Sequence, residues 1–304
     1  MTTSEAKVVS HPRGTWLDPA TGSLVDQRPV LQKAAFRRAV LLGETHDVAE
    51  IHRWQLHVIA FLHVLNPAMA VGFEMFPRRL QPVLDAWVDG EMDTETFLVR
   101  SEWNDVWGFD AALYLPIFHF CRQQKVPMLA LNCYRPLVTR VGKEGWDAIS
   151  ESERDGLTPS APATSAYRQY LFNLVGRGRA SGPGGLAQSA DDPAFDRFVR
   201  AQQTWDRAFA CNIARALDER PISLVVGIIG RGHLEYGHGT PYQLRDLGIT
   251  DVSVLLPSEA DTQDAGTIVG IADAIFRLDR PEPPSSWRAK RPAGPQSPAE
   301  GARS

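Results

Sequence analysis

The sequence has few cysteines, no long apolar run and no excess of either charge. Three cysteines occur among 304 residues, and their odd number and wide spacing argue against a disulfide framework or a CxxC zinc site. The 32 basic and 36 acidic residues give a net charge of −4, so nothing indicates nucleic acid or an anionic membrane as a partner. Apolar stretches such as residues 222–229 fall short of the roughly 20 residues that span a bilayer, and we expect no integral membrane segment.

Several familiar motifs are also missing. The sequence contains no GxGxxG opening a helix after a strand, no GxxxxGK[ST], no GxSxG and no HExxH. Its first residues lack the apolar core of a secretory signal and carry no cysteine for a lipid anchor. We therefore expect a cytoplasmic protein whose site is built from less common motifs.

Five short apolar runs bounded by turn residues predict buried strands, at residues 39–43, 70–74, 126–132, 222–230 and 252–256. Amphipathic patterns between them predict helices at residues 47–65, 77–88, 111–124 and 192–217. Asp47 occupies the position of a helix-capping residue. Strands alternating with helices predict an α/β fold, with a mainly parallel central sheet and helices on both of its faces.

The composition also predicts the domain boundaries. Residues 1–13 are expected to form a flexible N-terminus and residues 14–279 a single α/β domain, interrupted by a flexible glycine-rich loop at about 176–190. Residues 280–304 are rich in proline and poor in apolar side chains, which predicts a disordered tail.

Polar side chains follow four of the predicted strands, where parallel sheets place their ligands. Glu44 and His46 leave the first strand, Glu74 ends the second, Asn132 ends the third and His233 leaves the fourth. The first and fourth strands share the order apolar run, Gly, two residues, His, which indicates a half-repeat. We expect these side chains to meet at one edge of the sheet.

Two imidazoles and a carboxylate are a common ligand set for a divalent metal ion, which makes His46, His233 and Glu74 candidate ligands. Glu44 would then be a general base or would fix an imidazole tautomer. The alternative is structural, with the histidines bonded to loop backbone and Glu44 capping the next helix.

Further candidates lie near these strand ends. His52 is close enough to the start of its helix to approach the site. Tyr236 and His238 follow His233 in a glycine-rich segment, and both residue types serve as axial haem ligands, although a turn with exposed side chains fits equally well. The aromatic residues of segment 103–109 fit either the wall of an apolar pocket or the core.

Several short sequence motifs, taken together, resemble those of the ChaN-like haem-binding proteins of the Tiki superfamily. The GExH motif of residues 43–46 and the GxEMF motif of residues 72–76 are specific for this family when they occur together. The match is ordered along the chain, from about Gly14 to Leu256. The other matching motifs lie at residues 107–110, 129–132, 204–206 and 230–241.

This resemblance implies a ChaN-like or erythromycin-esterase-like fold, haem binding and a role in haem or iron uptake. It carries the metal or catalytic pattern onto His46, His233 and Glu74, with Glu44 as the acidic member of GExH. Arg231 is a departure from the family pattern, and it would either bind a haem propionate or an acidic substrate or pair with a nearby carboxylate at the surface. The motifs place no axial ligand; a haem site would involve Tyr236 or His238, with a homodimer as one arrangement. The alternative function is a metal-dependent hydrolase of esterase or protease type with a small-molecule substrate.

Overall fold

The computed structural model describes residues 8–175, 181–182 and 185–279. The predicted tail at 280–304, residues 1–7 of the predicted flexible N-terminus and much of the predicted glycine-rich loop lie outside the described residues.

The strands are β1 Val8–Ser10, β2 Trp16–Asp18, β3 Ser23–Val25, β4 Ala39–Glu44, β5 Met69–Pro77, β6 Met128–Asn132, β7 Ser181–Gly182, β8 Gly185–Leu186, β9 Leu224–Gly230, β10 Val252–Ser258, β11 Thr262–Asp264 and β12 Ala274–Arg277. The helices are α1 Gln27–Ala35, α2 Ala49–Leu65, α3 Gln81–Asp89, α4 Thr94–Arg100, α5 Trp103–Val106, α6 Leu115–Gln124, α7 Arg135–Glu144, α8 Ser165–Val175, α9 Asp196–Glu219, α10 Thr240–Asp246 and α11 Ala265–Ile268.

The main sheet has eight strands in the order β3-β2-β12-β10-β4-β9-β5-β6. From β12 to β6 every neighbouring pair is parallel, whereas β2 and β3 are antiparallel additions at one edge. The five strands that the sequence predicts are β10, β4, β9, β5 and β6, which are consecutive in this order. The predicted α/β class with a mainly parallel sheet is confirmed.

Helices cover both faces of this sheet, as predicted. Alternate residues of β4 point to opposite faces, so Val40 and Leu42 enter one apolar cluster and Leu41 enters another. The first cluster is completed by α1, α2, α3 and α6, and the second by α9 and α10. The sheet is therefore buried on both sides, which explains why its strands are continuous apolar runs.

Two local predictions differ from the structure. Asp47 does not cap α2, because residues 45–48 form a turn in which the Val48 amide donates to the Thr45 carbonyl at 3.3 Å. The helix begins after this turn, with Val48 as a cap residue whose side chain makes no capping hydrogen bond. Within the predicted flexible N-terminus, Val8–Ser10 pairs with β11 as an antiparallel strand.

The helices of the described residues include none that is both long and apolar enough to cross a membrane.

Phe118 of α6 is a central contact of the first apolar cluster. It is 0% exposed, and its ring centroid lies 5.1 Å from that of Phe73 and 5.5 Å from that of Phe97. We predict that Phe118→Ala lowers the free energy of unfolding by about 3–5 kcal/mol, because it removes buried area and leaves a cavity. Chemical denaturation monitored by circular dichroism measures the change.

Phe36, which is 76% exposed, provides the matched control. We expect Phe36→Ala to change the free energy of unfolding by less than about 0.5 kcal/mol. Equal losses in the two variants would contradict the assignment of Phe118 to the core.

Candidate functional site

The predicted strand ends meet at one edge of the sheet. β4 pairs with β9 so that Glu44 lies opposite Gly230, and β5 pairs with both β9 and β6. The carboxyl ends of these four strands open into a cleft of about 420 Å³. Its lining residues are His46, Glu74, Met75, Pro77, Arg79, Glu102, Asp105, Val106, Trp107, Phe109, Asn132, Cys133, Tyr134, Arg135, Trp205 and His233.

His46 is held by a buried carboxylate that is itself held by a tyrosine. The His46 Nδ1 atom lies 2.7 Å from Glu44 Oε1, and the Tyr114 hydroxyl donates to the same oxygen at 2.8 Å. Gln55 Nε2 donates to the other oxygen, Oε2, at 3.3 Å. We call Tyr114, Glu44 and His46 the first relay. Because Nδ1 is engaged by Glu44, only Nε2 of His46 is left for a ligand.

His52 supports this relay from behind. Its Nε2 atom lies 3.1 Å from the His46 carbonyl oxygen, and its Nδ1 atom lies 3.0 Å from Gln55 Oε1. The residue is 2% exposed and is absent from the cleft lining. Both ring nitrogens therefore meet protein groups within the structure.

His233 is held in the same manner by residues of other elements. Its Nδ1 atom lies 2.8 Å from Asp206 Oδ1, and the Tyr167 hydroxyl donates to the other carboxylate oxygen. Thr240 Oγ1 also donates to Asp206 Oδ1, at 3.2 Å. We call Tyr167, Asp206 and His233 the second relay. The two relays repeat one arrangement, in which tyrosine fixes carboxylate and carboxylate fixes imidazole.

Glu74 lies between the relays, directly after the last residue of β5 that pairs with β9. It is 7% exposed, and its Oε2 atom accepts a hydrogen bond from the Gly230 amide. A Cβ atom at position 230 would lie 3.1 Å from His46 Cε1 and 3.3 Å from Glu74 Oε2. A larger residue here would have to displace His46 or Glu74 by a few tenths of an ångström, so glycine lets both side chains approach the strand end closely.

The surrounding charges shift the pKa values of both imidazoles upward. Burial lowers the pKa of His233, but the charge and hydrogen bond of Asp206 outweigh it and, with Glu74, raise the pKa to about 9. Burial likewise opposes the protonated form of His46, yet the Glu44 hydrogen bond and the charge of Glu74 raise its pKa. Burial alone would raise the pKa of Glu44, whereas His46, His52 and Tyr114 together lower it. Each relay thus favours the charged form of its imidazole.

The side chains of the loop after His233 contact other protein groups and do not line the cleft. Arg231 Nε donates to Glu235, and the Tyr236 hydroxyl donates to the Thr267 carbonyl at 2.7 Å. The His238 ring lies 5.9 Å from the ring of Tyr167. Arg231, Tyr236 and His238 are all absent from the cleft lining. The structure therefore brings Glu44, His46, Glu74 and His233 together but leaves these three apart.

Among the described residues, no group of three or more His, Cys, Asp or Glu side chains is arranged to hold a metal ion. The predicted divalent metal site at His46, His233 and Glu74 receives no support from this geometry. What the arrangement provides is two imidazoles that hold or move a proton at Nε2, together with carboxylates that stabilise the charged form.

Several site residues are absent from the sequence-based candidates. Tyr114, Tyr167 and Asp206 lie on or beside helices, where tertiary packing decides their partners. A signal for Asp206 does exist, because residues 204–206 belong to the segments that carry the family resemblance. Tyr134 and Arg135 could have been found, because they follow the Asn132 strand end within three residues. In segment 103–109, Trp103 lies in the core while Trp107 and Phe109 line the cleft.

The raised pKa of His233 makes stability depend on pH. Because the pKa in the folded state exceeds the unfolded value of about 6.5, the pairing contributes stability that is complete below pH ~6.5. That stability is lost as the pH rises through about 9. We predict that Asp206→Asn lowers the pKa of His233, because burial is then opposed only by the charge of Glu74. NMR titration of the His233 ring, and unfolding at both ends of this pH range, measure the change.

Asp105→Asn is the matched control, since Asp105 lines the cleft but has no contact with His233 in the described part of the chain. It should leave the His233 titration unchanged. An unshifted pKa in Asp206→Asn would show that Asp206 does not control His233.

The sequence and the fold of this chain are similar to those of known proteins. Protein RETICULATA-RELATED 5, chloroplastic, of Arabidopsis thaliana is 26% identical over 221 residues, which cover 70% of this chain but only 29% of that protein. A structure described as cofacial heme binding to ChaN of Campylobacter jejuni matches with a TM-score of 0.65 and 17% identity, covering 86% of this chain and 95% of that one. At this identity the likeness shows the fold.

A mutant of the erythromycin esterase EreC, in its open conformation, has a TM-score of 0.45 and 12% identity, over 81% of this chain and 76% of that one.

The family model described as haem-binding uptake, Tiki superfamily, ChaN matches residues 30–244. This match confirms the resemblance that the sequence motifs indicate. Because it spans more than half of the sequence, the chain belongs to the ChaN haem-binding uptake family of the Tiki superfamily.

Proposed function

We propose that the chain binds haem in the cleft at the ends of β4, β5, β6 and β9, and that this binding serves haem or iron handling. Membership of a haem-binding uptake family supports the proposal, as does the fold shared with a ChaN whose structure is described as binding haem cofacially. The observation that carries it is the combination, in one cleft, of aromatic walls and unengaged donor atoms.

The aromatic walls suit a flat apolar macrocycle. The centroid of the His46 ring lies 4.5 Å from that of Trp107 and 5.2 Å from that of Phe109. Met75 and Trp205 add further apolar surface to the lining. Small-molecule sites are typically built in this way, from apolar walls with a few placed polar groups.

Three donors of the cleft suit haem iron. Tyr134 is 54% exposed, and its hydroxyl makes no hydrogen bond with any residue that the structure describes. His46 and His233 each present an Nε2 atom, since their Nδ1 atoms are engaged by the relays. Because the pKa values of both imidazoles are raised, this atom must lose its proton before it can bind iron. Tyrosine and histidine both serve as axial ligands, and we assign the iron contact to Tyr134 because it is the most accessible of the three. Bound haem would supply a redox-active iron.

The other predicted contacts stay predictions. His52 would act through His46, and Arg231, Tyr236 and His238 would touch haem only if it extended beyond the cleft. A homodimer and a cytoplasmic location also remain predictions. The described residues contain no cluster of side chains that could hold the metal ion of the alternative, a metal-dependent hydrolase.

Titration of the purified protein with hemin tests the proposal. We predict a saturable shift of the Soret band, because a defined pocket replaces water around the macrocycle. Tyr134→Phe should change the position of the band and weaken binding by about tenfold or more, a loss of roughly 1.4 kcal/mol.

Tyr236→Phe is the matched control, since it removes a tyrosine hydroxyl outside the cleft lining. It should bind hemin with the same spectrum as the unmodified protein. A linear titration that does not saturate would contradict specific haem binding. A spectral change in Tyr236→Phe alone would assign the iron contact to Tyr236 in the loop after His233.

A further inference from the structure

Three charged side chains of the cleft, Glu74, Arg79 and Glu102, are engaged by protein groups, as are its two histidines. Arg79 donates through both terminal nitrogens to the two carboxylate oxygens of Glu102, and the Arg79 Nη1 to Glu102 Oε1 distance is 2.6 Å. Glu74 accepts from Gly230, and the two histidines belong to the relays. These groups are not free to receive a charged part of a ligand without losing an existing partner.

Arg135 is the exception on the basic side. Its side chain lines the cleft and is exposed, and no residue in the described part of the chain pairs with its guanidinium. An exposed guanidinium needs no counter-charge, because water solvates it. It is therefore a cation that is available to a ligand, with five N–H donors in a fixed fork.

The backbone that carries Arg135 is firmly anchored. The Cys133 amide donates to Asn132 Oδ1 at 2.9 Å, and the Tyr134 amide donates to Asp155 Oδ2 at 3.1 Å. Arg135 is the first residue of α7, and Pro136 follows in its first turn. The guanidinium thus extends from a fixed point beside the Tyr134 ring.

We propose that Arg135 binds a carboxylate of the ligand and so sets which edge of the macrocycle faces solvent. This inference rests on the proposed haem binding and assigns the propionate edge of haem to Arg135. Guanidinium and carboxylate match in a bidentate geometry that an ammonium does not reproduce. Arg231, the arginine that the sequence alone points to for this role, is engaged by Glu235 outside the cleft.

One acidic side chain of the cleft, Asp105, is also unpaired in the part of the chain that the structure describes and would repel the carboxylates of a ligand. Asp105 of α5 also lines the cleft, and its carboxylate has no hydrogen-bond or ion-pair partner within the described residues. It repels a second carboxylate in its neighbourhood, whereas Arg135 attracts one. Because the two charges form no ion pair with each other among the described residues, both remain available to a ligand, and only Arg135 attracts its acidic edge.

Binding of hemin and of hemin dimethyl ester, measured in the same buffer, tests this role, because the ester keeps the macrocycle and iron but loses both acids. Arg135→Ala should weaken hemin binding on the order of tenfold, the usual size of one charge-assisted hydrogen bond, and should leave ester binding unchanged. Arg135→Lys should recover only part of the loss, because it lacks the fork. Raising the salt concentration should reduce the difference between the two ligands in the unmodified protein.

Arg28→Ala is the matched control, since Arg28 is an exposed arginine of α1 outside the cleft. It should bind both ligands as the unmodified protein does. If Arg135→Ala weakens both ligands equally or neither of them, the carboxylate contact is overturned while haem binding itself stands. If the unmodified protein binds neither ligand, the proposed function fails first.

Discussion

The site depends on the parallel pairing of β4 with β9. This pairing places Glu44 opposite Gly230, so that the chain leaves two neighbouring strands at the same level of the sheet. His46 and His233 follow these ends by two and three residues, which brings both imidazoles to one cleft. A shift of the pairing by one residue would turn the side chains of one strand to the other face of the sheet and separate the relays.

Because the carboxylates of the relays are buried, each of them needs hydrogen-bond partners inside the protein. Glu44 is 1% exposed and Asp206 is 0% exposed, so each carboxylate needs partners for its charge. Tyrosine, imidazole and amide donors supply them, with Gln55 in the first relay and Thr240 in the second. Loss of one partner from a buried charged pair typically costs about 3–5 kcal/mol. The same contacts that raise the pKa values of the histidines therefore also hold the strand ends in place.

The sequence predicts the centre of the fold better than its edges. The five inner strands are apolar because both faces are covered, and that pattern is visible in one dimension. β2, β3 and β12 have three or four residues each, and their pairing depends on contacts distant in the chain, such as Trp16 with Phe276. The site follows the same division. Strand-end residues such as Glu74 and His233 are predictable, whereas Asp206 lies within the long helix α9, where nothing local shows that it meets an imidazole.

The two relays are supported from opposite faces of the sheet. Tyr114 packs in the aromatic layer with Phe118 and Trp103, whereas Asp206 belongs to α9 on the other face. Each half of the cleft therefore has its own structural foundation. Changes in the helices of one face would act directly on one imidazole and reach the other only through its charge, so that the contacts of the two halves could diverge separately in a lineage while the strand pairing between them is preserved.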